Sequence, residues 1–275
     1  MPEKEQLLIY GHRGAKGEAP ENTLAGFLHA YRHGIRHFEM DVLLSSDGIP
    51  VLLHDLTLDR TTYFQGRAGT YNAEQLGDMD ARRNTASWPY TTGIPTLDEM
   101  FSQCPEVRHL QLEVKPDERR RLNRLCNRLV EWVQREKAYD RITLTSRSST
   151  FLRAVRRRDR RISTGYVAER RFPAPLRQAR QLGCQYLCCS TRLARPSLVE
   201  QAHEAGLHVS VWTVNRIHDM LILESMGVDS IITDYPTSAL VYFENHHNRR
   251  RFVTAPDVDE PIGTPGMPTD PETSH

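Results

Sequence analysis

The segment 7-LLIYGHRGAKGEAPENTLAGFLHAYRHG-34 carries one strand, one polar corner and one helix. Leu7, Leu8, Ile9 and Tyr10 have the length and character of a short buried strand. Leu24, Phe27, Leu28 and Tyr31 fall on one stripe of a helix over 22–33, with Asn22 placed to cap it and Gly34 to stop it. Between them stand His12, Arg13 and Gly14. Two side chains that are costly to bury, followed by a residue free to turn left-handed, mark the strand end as a place with a task.

The same alternation runs outward along the chain. Strand-like runs lie at 7–11, 37–43, 109–115, 142–146, 162–167, 186–190, 208–214 and 230–234. Helical runs lie at 22–33, 96–103, 117–137, 148–159, 173–182, 196–205, 216–226 and 236–246. Pro196 and Pro236 sit at helix starts, where a missing N–H costs nothing. Eight strands alternating with eight helices predict an α/β fold with a parallel sheet, and a (β/α)8 TIM barrel fits both count and length. A doubly wound open sheet is the other arrangement. No Gly-x-Gly-x-x-Gly follows the first strand, which counts against its dinucleotide-binding form.

One place breaks the rhythm. After 38-FEMDVLLS-45, Asp47-Gly48 signals a turn, and Val51–His54 follows too soon for a helix to intervene. The second strand is therefore expected to run into a hairpin extension, with 44 opposite 51 and 41 opposite 54. Residues 60–95 lack clear periodicity and are expected to form a small insertion over one barrel end. A single domain over 1–253 is expected, with a disordered tail at 254–275 that holds five prolines, no Lys or Arg and no aromatic residue.

Composition narrows the function. Of 275 residues, 39% are hydrophobic and 26% charged, with a net charge of +1, so no global field selects nucleic acid or a membrane. No run approaches the ~18 apolar residues of a membrane span. The charged start MPEKEQ has no apolar stretch behind it, and the five cysteines include an adjacent pair, Cys188 and Cys189, in an apolar run. Reduced thiols and a cytoplasmic location are expected. No Cys-x-x-Cys pair is present, which argues against structural zinc.

The strand ends carry the chemistry. Side chains two apart on a strand share a face, so Glu39 and Asp41 point together, as do Glu113 and Lys115. Carboxylates gathered on one inward face repel unless a cation joins them or one takes a proton. Three of them, Glu39, Asp41 and Glu113, suit Mg²⁺ or Ca²⁺; a buried ion-pair network with Arg13 and Lys115 accounts for them equally well. His12 from the first strand and His54 from the hairpin reach the same rim, an arrangement for general acid/base work. His29, His33, His37, His203 and His218 read as ordinary surface or core histidines.

These residues sit in recognisable surroundings. 11-GHRGAKGEAPENTLAGF-27, 38-FEMDV-42, 46-SDGIPVLLHD-55, 58-LDRTT-62 and 112-LEVKP-116 resemble the glycerophosphodiester phosphodiesterase family of the bacterial cytoplasmic type. 205-AGLHVSVWTVN-215 and 226-MGVDSIITDYP-236 resemble its last two barrel strands. The resemblance covers roughly residues 7–243. It implies a TIM barrel and metal-dependent cleavage of a small glycerophosphodiester to sn-glycerol 3-phosphate and an alcohol. It implies catalytic roles for His12 and His54, metal ligation by Glu39, Asp41 and Glu113, and phosphate contacts from Arg13 and Lys115. It further suggests attack by the glycerol 2-hydroxyl, then opening of a cyclic phosphate by water. Trp212 is expected either to pack against the glycerol carbons or to fill the barrel.

Arg147 departs from the family's usual aromatic residue and reads as solvent-facing, with a substrate contact as the other option. Residues 119–161 hold fifteen Lys and Arg against four Asp and Glu, which read as solvated helix faces; no nucleic-acid partner is expected. Two rival functions remain on the sequence alone. One is a lysophospholipase D served by Tyr63, Phe64, Trp88 and Tyr90; the other is an inactive phosphate-binding barrel.

Overall fold

The computed structural model describes residues 7–85 and 87–253, with side chains described to residue 245. Nine strands form one sheet: β1 (Leu8–His12), β2 (His37–Leu44), β3 (Pro50–Leu52), β4 (His109–Val114), β5 (Ile142–Ser146), β6 (Ser163–Ala168), β7 (Tyr186–Ser190), β8 (His208–Trp212) and β9 (Ser230–Thr233). All but β3 are parallel, in the order β1-β9-β8-β7-β6-β5-β4-β2. Pairing of Tyr10 with His37 and of His12 with Glu39 joins β1 to β2 and closes the barrel. The open-sheet alternative is thereby excluded, and the fold is a (β/α)8 barrel.

Helices follow the strands. They are α1 (Leu24–Arg32), α2 (Ala73–Gly77), α3 (Leu97–Gln103), α4 (Arg119–Glu136), α5 (Ser149–Arg158), α6 (Pro175–Leu182), α7 (Pro196–Glu204), α8 (Ile217–Ser225) and α9 (Pro236–Val253). Strand alternation separates two environments. Phe38 meets Phe27 of α1 edge-on, with ring centroids 5.6 Å apart, so the odd neighbours of β2 face the barrel axis. Across that axis Gln111 of β4 donates to Ser210 Oγ of β8 at 3.1 Å and accepts from Cys188 Sγ of β7. This polar layer is the floor on which the strand-end residues stand.

The hairpin forms, but in a different register from the one expected. Val42 pairs with Leu52 and Leu44 with Pro50, one residue away from the expected pairing. The expectation assumed a two-residue loop at 47–48. The chain instead uses three residues, 46–48, closed by Gly48 N–H to the Ser45 carbonyl, with Gly48 at φ +86°. A left-handed glycine at the end of such a turn is the usual solution for three-residue loops.

The 60–95 segment is more ordered than its lack of periodicity suggested. α2 begins with a reciprocal cap between Asn72 and Gln75, and five residues are too few to show a helical period. Leu58, Leu76, Met79 and Ile94 are buried with Leu43, Val51 and Leu53 of the hairpin in a small core of their own. The chain packs as one unit to Val241 and as a second from Tyr242, within α9. The expected tail at 254–275 lies outside the described residues. No helix among the described residues is long and apolar enough to cross a membrane.

Candidate active site

Glu39, Asp41 and Glu113 converge as alternation demands: each offers an oxygen within 4.8 Å of the others. Two cations share the cluster. Lys115 Nζ lies 2.8 Å from both Asp41 Oδ1 and Glu113 Oε2, and Arg13 Nε lies 3.0 Å from Asp41 Oδ2. Burial works against an ionised Asp41, but Lys115 and Arg13 hold its carboxyl below the usual range. Glu39 has no such partner. Burial, reinforced by Asp41 and Glu113, pushes its pKa well up. Three carboxyls share two cations, and Glu113 Oε1 is buried without a hydrogen-bond partner. The ion-pair network is present, and the same three carboxyls lie close enough together to hold a metal ion.

Each histidine is anchored by a carboxylate. His12 Nδ1 lies 2.5 Å from Asp234 Oδ1, just past the end of β9, and His12 Nε2 is 3.7 Å from Glu39 Oε2. Asn215 Nδ2 donates to the other Asp234 oxygen at 2.7 Å. His54 Nδ1 lies 2.7 Å from Asp55 Oδ1. In the observed register, position 54 would oppose Met40 and face outward. β3 ends at Leu52, however, and the chain bends at His54, so its ring lines the same cavity as His12, Glu39 and Lys115. Burial lowers both imidazole pKa values, against the raising effect of Asp234 on His12 and of Asp41 on His54. Asp234 itself is held down to about 2: burial raises it, and the bond from His12 more than offsets that. An ionised acceptor at Nδ1 places the proton there and leaves Nε2 as the basic nitrogen of the neutral ring.

Arg13 takes a left-handed backbone, φ +50°, directly after β1, and Gly14 follows at +90°. A Cβ on Gly14 would lie 2.9 Å from the Gly26 carbonyl carbon, so glycine is required there twice over. Arg13 Nη1 donates to Glu21 at 2.8 Å, and Glu21 is almost fully buried. Asn22 was expected to cap α1; Thr23 does so instead, accepting from Gly26 N–H. Asn22, left-handed at φ +53°, bridges to Asp41: its Nδ2 donates to Oδ2 at 3.0 Å, and its Oδ1 accepts from the Asp41 N–H at 3.3 Å. The side chain of the "PENT" segment that looked like a helix signal is spent on holding an acid of the cluster.

The far wall of the cavity includes Thr145, Arg147, Glu169 and Trp212. Trp212 ends β8, and its Nε1 donates to the Cys188 carbonyl at 3.3 Å. Arg147 is exposed, as expected, yet it lines the cavity mouth and pairs with Glu169 at 3.2 Å. All eight expected site residues are brought to one rim. Sequence reasoning missed the partners behind them: Asp234, Asp55, Glu21 and Arg60. Asp234 ends a strand and Asp55 follows a histidine, so both stood where a carboxylate could be suspected. Glu21 and Arg60 stand in two of the quoted motifs, 39 positions apart, and nothing in either motif pairs them.

Comparison with known proteins agrees with this geometry. The model of the glycerophosphoryl diester phosphodiesterase family matches residues 12–238. The glycerophosphodiester phosphodiesterase of Caldanaerobacter subterraneus subsp. tengcongensis is 29% identical over 242 residues, covering 86% of this chain and 97% of that protein. The bovine glycerophosphodiester phosphodiesterase 1 is 27% identical over 264 residues, covering 84% of this chain and 78% of its own. Among solved structures, an Oleispira antarctica phosphodiesterase in complex with its product sn-glycerol-3-phosphate superposes with a TM-score of 0.79 at 30% identity, covering 86% of this chain and 96% of that one. The chain belongs to the glycerophosphoryl diester phosphodiesterase family and is a phosphoric diester hydrolase.

Proposed function

We propose that the chain hydrolyses small glycerophosphodiesters to sn-glycerol 3-phosphate and an alcohol, with a divalent cation held by Glu39, Asp41 and Glu113 and proton transfer by His12 and His54. The observation that carries this reading is the pair of imidazoles, each tied at Nδ1 to a carboxylate, lining one cavity with Arg13, Lys115 and the acid cluster. The unpartnered Glu113 oxygen and the Glu39 carboxyl, which burial and its acidic neighbours keep from ionising, fit a hard cation with oxygen ligands. When bound, Mg²⁺ or Ca²⁺ supplies positive charge against the phosphate oxygens. The product complex of the Oleispira protein supports the glycerol phosphate assignment.

The protein's own groups do the rest. Arg13 and Lys115 bind the phosphate anion, and both keep their protons because burial, which disfavours the charge, is outweighed by the acids beside them. One imidazole accepts the proton of the glycerol 2-hydroxyl at Nε2 as that oxygen attacks phosphorus. The other donates a proton to the departing alcohol oxygen. Water then reopens the cyclic diester with the two roles exchanged. Trp212 offers the glycerol carbons an apolar face.

The test is the fate of phosphorus. Glycerophosphocholine and lysophosphatidylcholine are incubated with the protein and Mg²⁺ or Ca²⁺, and products are followed by ³¹P NMR. Conversion of glycerophosphocholine to sn-glycerol 3-phosphate is expected. Phosphocholine as product, or turnover of the lysolipid alone, overturns the assignment.

A further inference from the structure

The segment after β3 is wired into the site through one residue. Arg60 Nε donates to Asp55 Oδ2 at 2.5 Å, and Asp55 Oδ1 holds His54 Nδ1 at 2.7 Å. The two Nη groups of Arg60 donate to Glu21 at 2.7 and 2.8 Å. Glu21 also receives Arg13 Nη1 at 2.8 Å and Asn84 Nδ2 at 2.9 Å. An unbroken run of charge-assisted contacts thus leads from the His54 ring to the Arg13 guanidinium, and among the described residues Arg60 joins its two halves.

The chemistry of guanidinium suits that place. Its donors lie in one rigid plane, so Nε can serve one carboxylate while both Nη groups serve a second. An ammonium is a point charge without that fork. Burial divides the consequences unequally. Glu21 is 1% exposed and keeps Arg13 and Asn84 whatever happens to Arg60, whereas Asp55 is 30% exposed and, apart from Arg60, holds no side chain but His54 among the described residues. Arg60 is itself 40% exposed, so its removal opens no core.

We propose that Arg60 is a positioning residue for the reaction, fixing the His54 ring through Asp55 with Glu21 as its buried anchor, so that the insertion sets catalytic geometry. The inference rests on the role proposed above for His54. A reacting group displaced by about 1 Å loses on the order of 10²-fold in rate. Loss of Arg60 frees Asp55 more than Glu21, so the effect falls on kcat more than on KM.

The test is a double-mutant cycle on the full chain with glycerophosphocholine as substrate. Arg60→Ala is expected to lower kcat by about 10–100-fold with KM changed less than about threefold. In a His54→Ala background the same change is expected to cost less than about threefold, because the group that Arg60 positions is gone. Arg60→Lys is expected to recover little, for want of the fork. Thermal melts check the fold, and if Arg60→Ala does not melt cooperatively, Arg60→Lys, which keeps stem and charge, carries the same cycle. An equal loss in both backgrounds, or full activity of Arg60→Ala or Arg60→Lys, overturns the proposal alone. A wild type that turns over no glycerophosphodiester overturns the reading beneath it, and the proposal with it.

Discussion

Glu39 and Asp41 lie two residues apart on one strand, and their ionisation behaviour goes in opposite directions. Asp41 touches two cations and stays charged; Glu39 touches none and resists ionisation. A divalent cation held there, as proposed, would resolve that conflict, so each of the three acids should matter for metal affinity. Glu39→Ala, Asp41→Ala and Glu113→Ala are each expected to lose metal-stimulated turnover while still melting cooperatively. Calorimetric titration with Mn²⁺ checks this directly, and an unchanged affinity in any one variant removes that residue from the ligand set. The histidines separate by leaving group. His12→Ala and His54→Ala should each lose about 10²–10⁴-fold on an alkyl ester. On a p-nitrophenyl ester only the variant lacking the acid should recover, since that leaving group needs no proton. Equal recovery of both, measured on an ester that wild type cleaves, contradicts the paired roles.

At the level of the elements, the corner after β1 concentrates the constraints. Arg13 and Asn22 both hold left-handed backbones, a state that costs a non-glycine residue about 1–3 kcal/mol and persists only where the surroundings fix it. Gly14→Ala adds a second strain and a close contact with the Gly26 backbone. It is expected to lower Tm by several degrees and to depress activity well beyond that loss, measured at a temperature where the variant is folded. The same corner shows what the sequence could reveal. The strand, the helix and the inward pairing of Glu39 with Asp41 follow from periods of 2 and 3.6, and those were legible. The hairpin register was not, because a two-residue and a three-residue loop differ by one position that Asp47-Gly48 does not distinguish. Nor was the cap of α1, since Asn22 and Thr23 are both good N-caps and only Asp41, 19 positions away, claims the first. Partners such as Glu21 and Arg60 meet only through tertiary folding, and no local pattern encodes their pairing.

Across the whole molecule, the barrel is polar at both ends. Opposite the site, at the strand starts, Tyr186 stacks on His109 at 5.5 Å, and His109 lies between Tyr10 Oη at 3.0 Å and Thr143 Oγ1 at 3.1 Å. His208 lies 4.3 Å from the Tyr186 ring and contacts Ser230 Oγ at 2.8 Å. Burial first, then neighbouring charge, lowers these histidines: His37 to about 4 beside Arg108, His109 to about 3 beside His37, and His208 to about 4 despite Asp229. An unfolded chain takes up these protons near pH ~6.5, while the folded one refuses them until pH 3–4. Stability contributed by the neutral rings is therefore full above about pH 6.5 and lost progressively as pH falls toward 4. Tm is expected to decline through that window, and His109→Gln should flatten the slope; an unchanged slope contradicts it.

The arginine-rich stretch is also clearer in three dimensions. Several of its members serve as ties rather than as solvated charge: Arg121 donates to the Leu44 and Gly69 carbonyls, Arg141 to that of Val107, and Arg156 to that of Gly183. Arg161 pairs with Asp159 at 2.6 Å. These bonds join helices to neighbouring strands and loops around the barrel, so part of the charge has a structural use that composition cannot show.

If Glu39, Asp41 and Glu113 hold a divalent cation, release of sn-glycerol 3-phosphate depends on it, and a metal titration decides the matter. Protein stripped with EDTA is assayed for sn-glycerol 3-phosphate release from glycerophosphocholine while Mg²⁺, Ca²⁺ or Mn²⁺ is added back, in wild type and in Glu113→Gln, which keeps the shape of the side chain. No turnover is expected in the stripped enzyme, with recovery that saturates with added metal in wild type and recovery in Glu113→Gln that needs much more metal or never comes. Full turnover by the stripped enzyme, or identical metal curves for the two proteins, would contradict that dependence.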